Sequence, residues 1–182
     1  MPVNASNDNL GILAPDFKLK DVSNNYMSLD DLKGENGTVI AFICNHCPYV
    51  ISIASRLSSE AKELKKFSIN TIAIMSNDVT NYPEDSFDNM KVFAKKYDFN
   101  FSYLYDDTQE VAKSYGAVCT PDFFGFNRSL NLMYRGRIDS GVMNSKEQYI
   151  ERDLYKAMIK IKEEGVGPHT QFNSFGCSIK WK

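Results

Sequence analysis

The chain has 182 residues, enough for one domain with a full core, and its 43% hydrophobic and 24% charged residues are ordinary usage for a globular fold that needs no metal or disulfide staple. A formal net charge of −2 with both signs interspersed gives no field for nucleic acid or an anionic membrane. No apolar run approaches the ~18 residues of a membrane span, and Met1 to Leu10 has neither the basic nor the apolar region of a signal peptide, so a mobile tail and a cytoplasmic location are expected.

Ala14 to Leu19 opens a short alternating strand, Ser23-Asn24-Asn25 is a turn, and Tyr26 to Leu29 is the return strand of a hairpin. Leu29 to Leu32 predicts one helical turn, closed by Lys33 to Gly37. Val39 to Ile43 is continuously apolar, the mark of a strand covered on both faces. Pro48 to about Phe67 carries Ile53, Leu57, Ala61 and Leu64 at helical spacing, and Ile69 to Met75 is a second strand, which makes a right-handed parallel crossover. After the polar loop Asn77 to Asp85, Phe87, Met90, Ala94 and Tyr97 mark a second helix. Phe101 to Tyr105 adds an extended segment, and Asp107 with Glu110 predicts a capping box for a third helix ended by Gly116. Cys119-Thr120-Pro121 leads into Asp122 to Phe126, a hairpin partner for Leu130 to Ile138. There Phe123, Phe124 and Phe126 read as core, and Arg135 with Arg137 as a solvated face. Ser145 with Gln148 predicts the cap of a last helix bearing Ile150, Leu154, Met158 and Ile161, ended by Gly165. The division expected is a tail over 1–10, one domain over 11–165, and an aromatic-rich segment over 166–182 docked on it.

The chemistry concentrates at Cys44-Asn-His46-Cys47-Pro48, where a strand runs through two thiols into a helix. Pro48 suits the first helical turn, which places Cys47 at the N-cap, where orphan N–H groups and the positive dipole end stabilise a thiolate. Lowering a thiol from pKa ~8.5 to ~6.5 raises its ionised fraction at pH 7 about 25-fold, and lost basicity takes back about eight- to tenfold of the attack rate. The larger gain is as a leaving group, which suits a sulfur that is attacked and released.

The order hairpin, strand, Cys-x-x-Cys-Pro, helix, strand, helix, Thr-Pro, hairpin, helix resembles the thioredoxin superfamily, and more closely its redoxin branch of alkyl hydroperoxide reductase and thiol-specific antioxidant proteins. The phrases Cys44 to Val50, Tyr82 to Ser86, Cys119 to Phe124 and Gly176 to Lys182 are similar to a peroxiredoxin-like group within it. The resemblance implies an α/β thioredoxin-like fold, a central mixed sheet flanked by helices with an N-terminal β-hairpin. It also implies a cis Pro121 facing the active thiol, with Thr120 and Pro121 holding the backbone of a sulfur substrate. Two departures stand out. Neither Cys44 nor Cys47 has the Pro-x-x-x-Thr-x-x-Cys context of peroxidatic cysteines. Aligned on the strand with relatives that read Trp-Cys-Pro-Pro-Cys, the first cysteine falls on Cys47 and Val50 stands at the second. That register makes Cys47 the nucleophile and Cys44 its resolving partner.

The expectation is therefore a thiol-disulfide oxidoreductase using Cys47 and Cys44, acting on a disulfide or oxidised thiol. An external dithiol reductant such as a thioredoxin or glutathione system would reset it, with no flavin, nucleotide or metal cofactor. A thiol peroxidase with Cys44 or Cys177 resolving is the first alternative, and a redox sensor or metal-binding module the second. For zinc, the ligand types are those of Cys44, His46 and Cys47 with Cys177 or His169. His46 is a candidate modulator of Cys47, against the reading of an exposed turn residue without a partner. Cys177 is a candidate resolving thiol on a mobile tail, and Cys119, turned away from the face of Thr120, reads as a buried thiol.

Overall fold

Gly37–Phe42 is buried at every residue, so this strand is sandwiched between two layers of apolar side chains and sits in mid-sheet. The computed structural model describes residues 1–5, 9–141, 143 and 149–182. In chain order the elements are β1 (Pro2–Asn4), β2 (Lys18–Asp21), β3 (Tyr26–Ser28), α1 (Leu29–Leu32), β4 (Gly37–Phe42), α2 (Pro48–Lys65), β5 (Ile69–Met75), a 3-10 turn (Pro83–Asp85), α3 (Phe87–Lys96), β6 (Ser102–Tyr105), α4 (Glu110–Tyr115), β7 (Cys119–Thr120), β8 (Asp122–Phe126), β9 (Leu132–Gly136), α5 (Asp153–Glu164) and β10 (Phe175–Ser178). Seven strands form a mixed sheet in the order β3-β2-β6-β5-β4-β8-β9, and β1, β10 and β7 form a smaller antiparallel one. The inner strands β4, β5 and β6 are parallel, as helical crossovers require, and the outer strands join through antiparallel pairs. This is the thioredoxin-like arrangement of a mixed sheet flanked by helices, with the β2–β3 hairpin at its start.

Side chains alternate along β4, so the sheet carries one core on each face. Val39, Ala41 and Ile43 pack with Ile53, Leu57 and Leu64 of α2 and Leu154, Met158 and Ile161 of α5. Ile40 and Phe42 pack on the other side with Tyr115, Phe124 and Phe126. Each fully buried Leu or Phe contributes about 1.5–3 kcal/mol, so this burial dominates the stability and holds the carboxyl end of β4 rigidly.

Four expectations are corrected. Pro2–Asn4 is not a free tail but pairs with Phe175–Cys177, because β10 offers it an unpaired edge. Asp107 does not cap α4: Gln109, at φ 64°, is the N-cap residue, and Asp106 accepts from the Ala112 N–H at 2.9 Å. Asp107 instead accepts from the Tyr105 hydroxyl and pairs with Lys182. The last helix starts at Asp153, so Ile150 precedes it, and the expected cap at Ser145 and Gln148 lies outside the described residues. Arg135 is not solvated: it is 2% exposed and paired with buried Asp122 at 2.9 Å, its guanidinium lying on the Phe124 ring. Arg137 pairs with Asp153 at 2.7 Å. Gly116 and Gly165 do end their helices, both at positive φ, where a Cβ would be strained.

Candidate functional site

The site lies where β4 ends and α2 begins. Cys47 is the N-cap residue of α2, with extended φ/ψ, and Pro48 fills the first helical position, as the sequence predicts. The turn that carries the two thiols is pinned from below. The Asn45 N–H donates to Asp85 Oδ1 at 2.7 Å, and the buried Tyr103 hydroxyl donates to Asn45 Oδ1 at 2.9 Å. Thr120 closes the site from the opposite side, and the Thr120–Pro121 peptide bond is cis. Cys44 Sγ lies 3.3 Å from Thr120 Oγ1, and Cys47 Sγ lies 3.3 Å from the Thr120 carbonyl oxygen. All four cysteines are unpaired thiols.

Electrostatics separate the two sulfurs. Cys47 is pulled down to about 5, first because the Cys44 thiol donates a hydrogen bond to its sulfur. Burial opposes this, while the Cys177 thiol and the N–H groups of Val50 and Cys177 add to it. Val50 acts from the third helical position without closing a full cap hydrogen bond. Protonated, Cys47 donates to the Thr120 oxygen; ionised, it is the acceptor of donors on three sides. Cys44 is held well above the usual thiol range by the same hydrogen bond, by burial and by the charge of Asp85. Cys119 is pushed up by burial and then by Asp122, and its sulfur faces Pro121 O at 3.8 Å, consistent with a buried structural thiol.

His46 is not an exposed turn residue without a partner. Its Nδ1 is 2.7 Å from Asp85 Oδ2 and its ring stacks on Tyr82 with centroids 5.8 Å apart. Asp85 has no solvent exposure and also accepts from Asn77 Nδ2 at 2.8 Å. A Cys44 sulfur, a His46 ring nitrogen and an Asp85 oxygen therefore lie within 4.8 Å of one another. Their types suit a cation, but the Asp85 carboxylate already takes donors from Asn45, His46 and Asn77, so the group is satisfied as a hydrogen-bonded unit. His169 is exposed and outside that cluster. Asp85, Asn77 and Tyr82 were missed in the sequence, although Tyr82 to Asp85 falls within a phrase that carried the resemblance.

Cys177 is not on a mobile tail. It belongs to β10 and pairs in the antiparallel ladder with Thr120, whose carbonyl oxygen lies 3.3 Å from Cys47 Sγ. The Thr120 edge expected to hold a substrate backbone is thus already occupied by the chain's own strand. What stays open nearby is a cleft of about 400 Å³ lined by Tyr49, Ile53, Pro121, Arg137 and Phe175. A larger one of about 760 Å³, between Phe17, Leu19, Phe87 and Tyr105, has no thiol in its wall. No helix among the described residues is long and apolar enough to cross a membrane.

Known proteins place this architecture. An uncharacterized conserved protein from Geobacillus kaustophilus superposes with a TM-score of 0.94 at 42% identity, covering 100% of this chain and 97% of that one. The thioredoxin domain of a thiol-disulfide oxidoreductase from Bacteroides vulgatus shares the fold, with a TM-score of 0.64 at 17% identity over 84% of this chain and 96% of that one. Chloroplastic peroxiredoxin Q from Populus jackii is 27% identical over 117 residues, 64% of this chain and 50% of its own length. The chain thus spans about half the length of that curated relative. The model of the AhpC/TSA family matches residues 10–138, most of the sheet and both Cys44 and Cys47, and this chain belongs to that family.

Proposed function

We propose that this protein is a thiol-disulfide oxidoreductase in which Cys47 is the nucleophile and Cys44 the resolving thiol. The observation that carries the reading is the placement of the pair: Cys47 is the N-cap residue of α2, both sulfurs lie 3.3 Å from Thr120 beside the cis Pro121, and the Cys44 thiol pulls the Cys47 pKa down while its own is held up. The Cys47 thiolate attacks one sulfur of a substrate disulfide, forming a mixed disulfide and expelling the other sulfur as a thiolate. Cys44 then attacks Cys47 Sγ, expels the second substrate thiolate and leaves a Cys44–Cys47 disulfide. Two electrons have passed to the substrate. Cys44 must lose its proton to attack; a His46 ring nitrogen lies within 4.8 Å of that sulfur, and we assign His46 as the base that takes the proton through one bridging water, its Nδ1 being held by Asp85. Thr120 contacts both sulfurs, its hydroxyl at Cys44 and its carbonyl oxygen at Cys47, and Pro121 walls the cleft from which substrate approaches. An external dithiol returns the pair to the reduced state.

The test is to trap the first intermediate. The double variant Cys44→Ser/Cys177→Ser treated with oxidised glutathione should accumulate glutathione on Cys47, visible as one adduct in intact mass and peptide mapping, while wild type passes on to the Cys44–Cys47 disulfide. An adduct on Cys44 in Cys47→Ser, at a rate matching wild type, would reverse the assignment.

Family membership and the low Cys47 pKa also support a second reading, a thiol peroxidase in which Cys47 becomes a sulfenic acid. The upstream Pro-x-x-x-Thr of peroxidatic cysteines is missing here. Stopped-flow oxidation by hydrogen peroxide separates the readings: a rate near that of free cysteine leaves the disulfide reading alone.

A further inference from the structure

A buried redox pair has to be reached by its reductant. Thiol-disulfide exchange needs the attacking sulfur to approach the attacked one directly, so access limits the rate as much as ionisation does. Cys44 is 1% exposed and Cys47 0%, and the chain's own β10 covers the edge of Thr120 beside them. Beside that strand neither sulfur is exposed, so a folded dithiol protein meets a surface thiol more readily than it meets either of them.

Cys177 is part-exposed and stands opposite Thr120 in the ladder, the residue whose carbonyl oxygen lies 3.3 Å from Cys47 Sγ, and it helps pull the Cys47 pKa down. We propose that Cys177 is the port of the site, the thiol through which an external dithiol reduces the Cys44–Cys47 disulfide. This rests on the functional reading above and names the residue that meets the donor.

The strand that brings Cys177 there is fixed at several points. The Ile179 N–H donates to Val118 O at 3.0 Å, which makes Thr120 and Cys177, two residues along each strand, the next hydrogen-bonded pair of the ladder. Gly176 lets the strand come this close, since a Cβ there would overlap the Thr120 carbonyl oxygen. β1 pairs along the other edge, with Pro2 opposite Cys177. Beyond the strand, the Lys180 N–H donates to Asn77 Oδ1 at 2.9 Å, and Lys180 O accepts from Asp78 N–H and Gln109 Nε2, both at 2.8 Å. Cys177 is thus held on the same Thr120 edge that the Cys47 sulfur faces.

The steps balance as two exchanges. The Cys177 thiolate attacks Cys47 Sγ, so the Cys47–Cys177 bond forms and the Cys44–Cys47 bond breaks, and Cys44 leaves as a thiolate that takes up the proton Cys177 released. The first thiolate of the external dithiol then attacks Cys177 Sγ, the exposed end of the new disulfide, and Cys47 leaves as its stable thiolate. The donor's second thiol displaces Cys177, and the donor departs as a disulfide having supplied two electrons.

The experiment uses the full chain. Wild type and Cys177→Ser are first converted to their Cys44–Cys47 disulfides with dithiodipyridine, and reduction by a purified thioredoxin is followed by quench and mass mapping. The port predicts reduction at least tenfold slower in Cys177→Ser. In a separate arm, Cys44→Ser treated with one equivalent of dithiodipyridine should give a Cys47–Cys177 disulfide as its main product, a result independent of how well Cys177→Ser folds. Reduction of Cys177→Ser at the wild-type rate, or a Cys44→Ser product lacking the Cys47–Cys177 bond, overturns the port and leaves the functional reading standing. Failure of wild type to form Cys44–Cys47 at all overturns both.

Discussion

Replacing Cys44 by Ala tests the electrostatic core of the site, because it removes the largest influence that holds Cys47 at about 5. At that value about 99% of Cys47 is thiolate at pH 7. A hydrogen bond to a charged acceptor is worth about 1.5–3 kcal/mol, and one pKa unit corresponds to about 1.4 kcal/mol. Loss of the Cys44 donor should therefore raise Cys47 by about 1–2 units, to about 6–7, while the Cys177 and Val50 donors keep it below an ordinary thiol. The assay is a pH titration of ultraviolet thiolate absorbance in wild type and Cys44→Ala, with Cys47→Ser as the blank. The thiolate signal must disappear as pH falls through the folded pKa, near 5 in wild type and one to two units higher in the variant. A wild-type midpoint near that of free cysteine, or an unmoved midpoint in Cys44→Ala, would refute the argument that these two sulfurs share a proton.

If His46 takes the Cys44 proton, His46→Gln should slow the second exchange about tenfold or more and let the mixed disulfide accumulate in quench-flow, with little effect on the first. Asp122 is raised to about 6, chiefly by burial, so its ionisation costs stability; the folded state is favoured below about pH 4 and that advantage is lost as pH rises through about 6. Arg135→Met leaves that carboxylate unpaired and should cost about 3–5 kcal/mol near pH 7 in denaturant unfolding, shrinking toward pH 4; a pH-independent loss would count against it. Gly176→Ala forces a methyl against the Thr120 carbonyl, so about 1–3 kcal/mol of stability should go, read as a lower Tm. An unchanged Tm would mean that β10 sits less tightly than described.

Much of the frame was legible because it follows from periodicity. The apolar run Val39 to Ile43, the helical stripe through Leu57 and Leu64 and the turn residues Ser23 to Asn25 each specify a local conformation that the tertiary structure keeps. The strand-to-helix position of Cys47 was readable from Pro48 for the same reason. What was not legible depends on contacts between distant segments. Asp85 and Asn77 lie in a polar loop with no period, and only folding brings them under the 44–47 turn. Arg135 sits in a strand whose alternation gives no sign of a buried acid 13 positions earlier. β10 has a mixed, glycine-containing sequence, and it forms a strand because β7 and β1 offer it backbone partners on both sides.

The loop from Asn77 to Asp85 grips the site from two directions at once. Asp85 anchors the Asn45–His46 turn, and Asn77 and Asp78 anchor Lys180, just past the strand that carries Cys177. Any motion that peels this loop away unfastens the turn that holds His46 beside Cys44 and the strand that lies along the Thr120 edge beside Cys47 together. The two flanks of the thiol cluster are latched by one clasp, and whatever binds that clasp governs both.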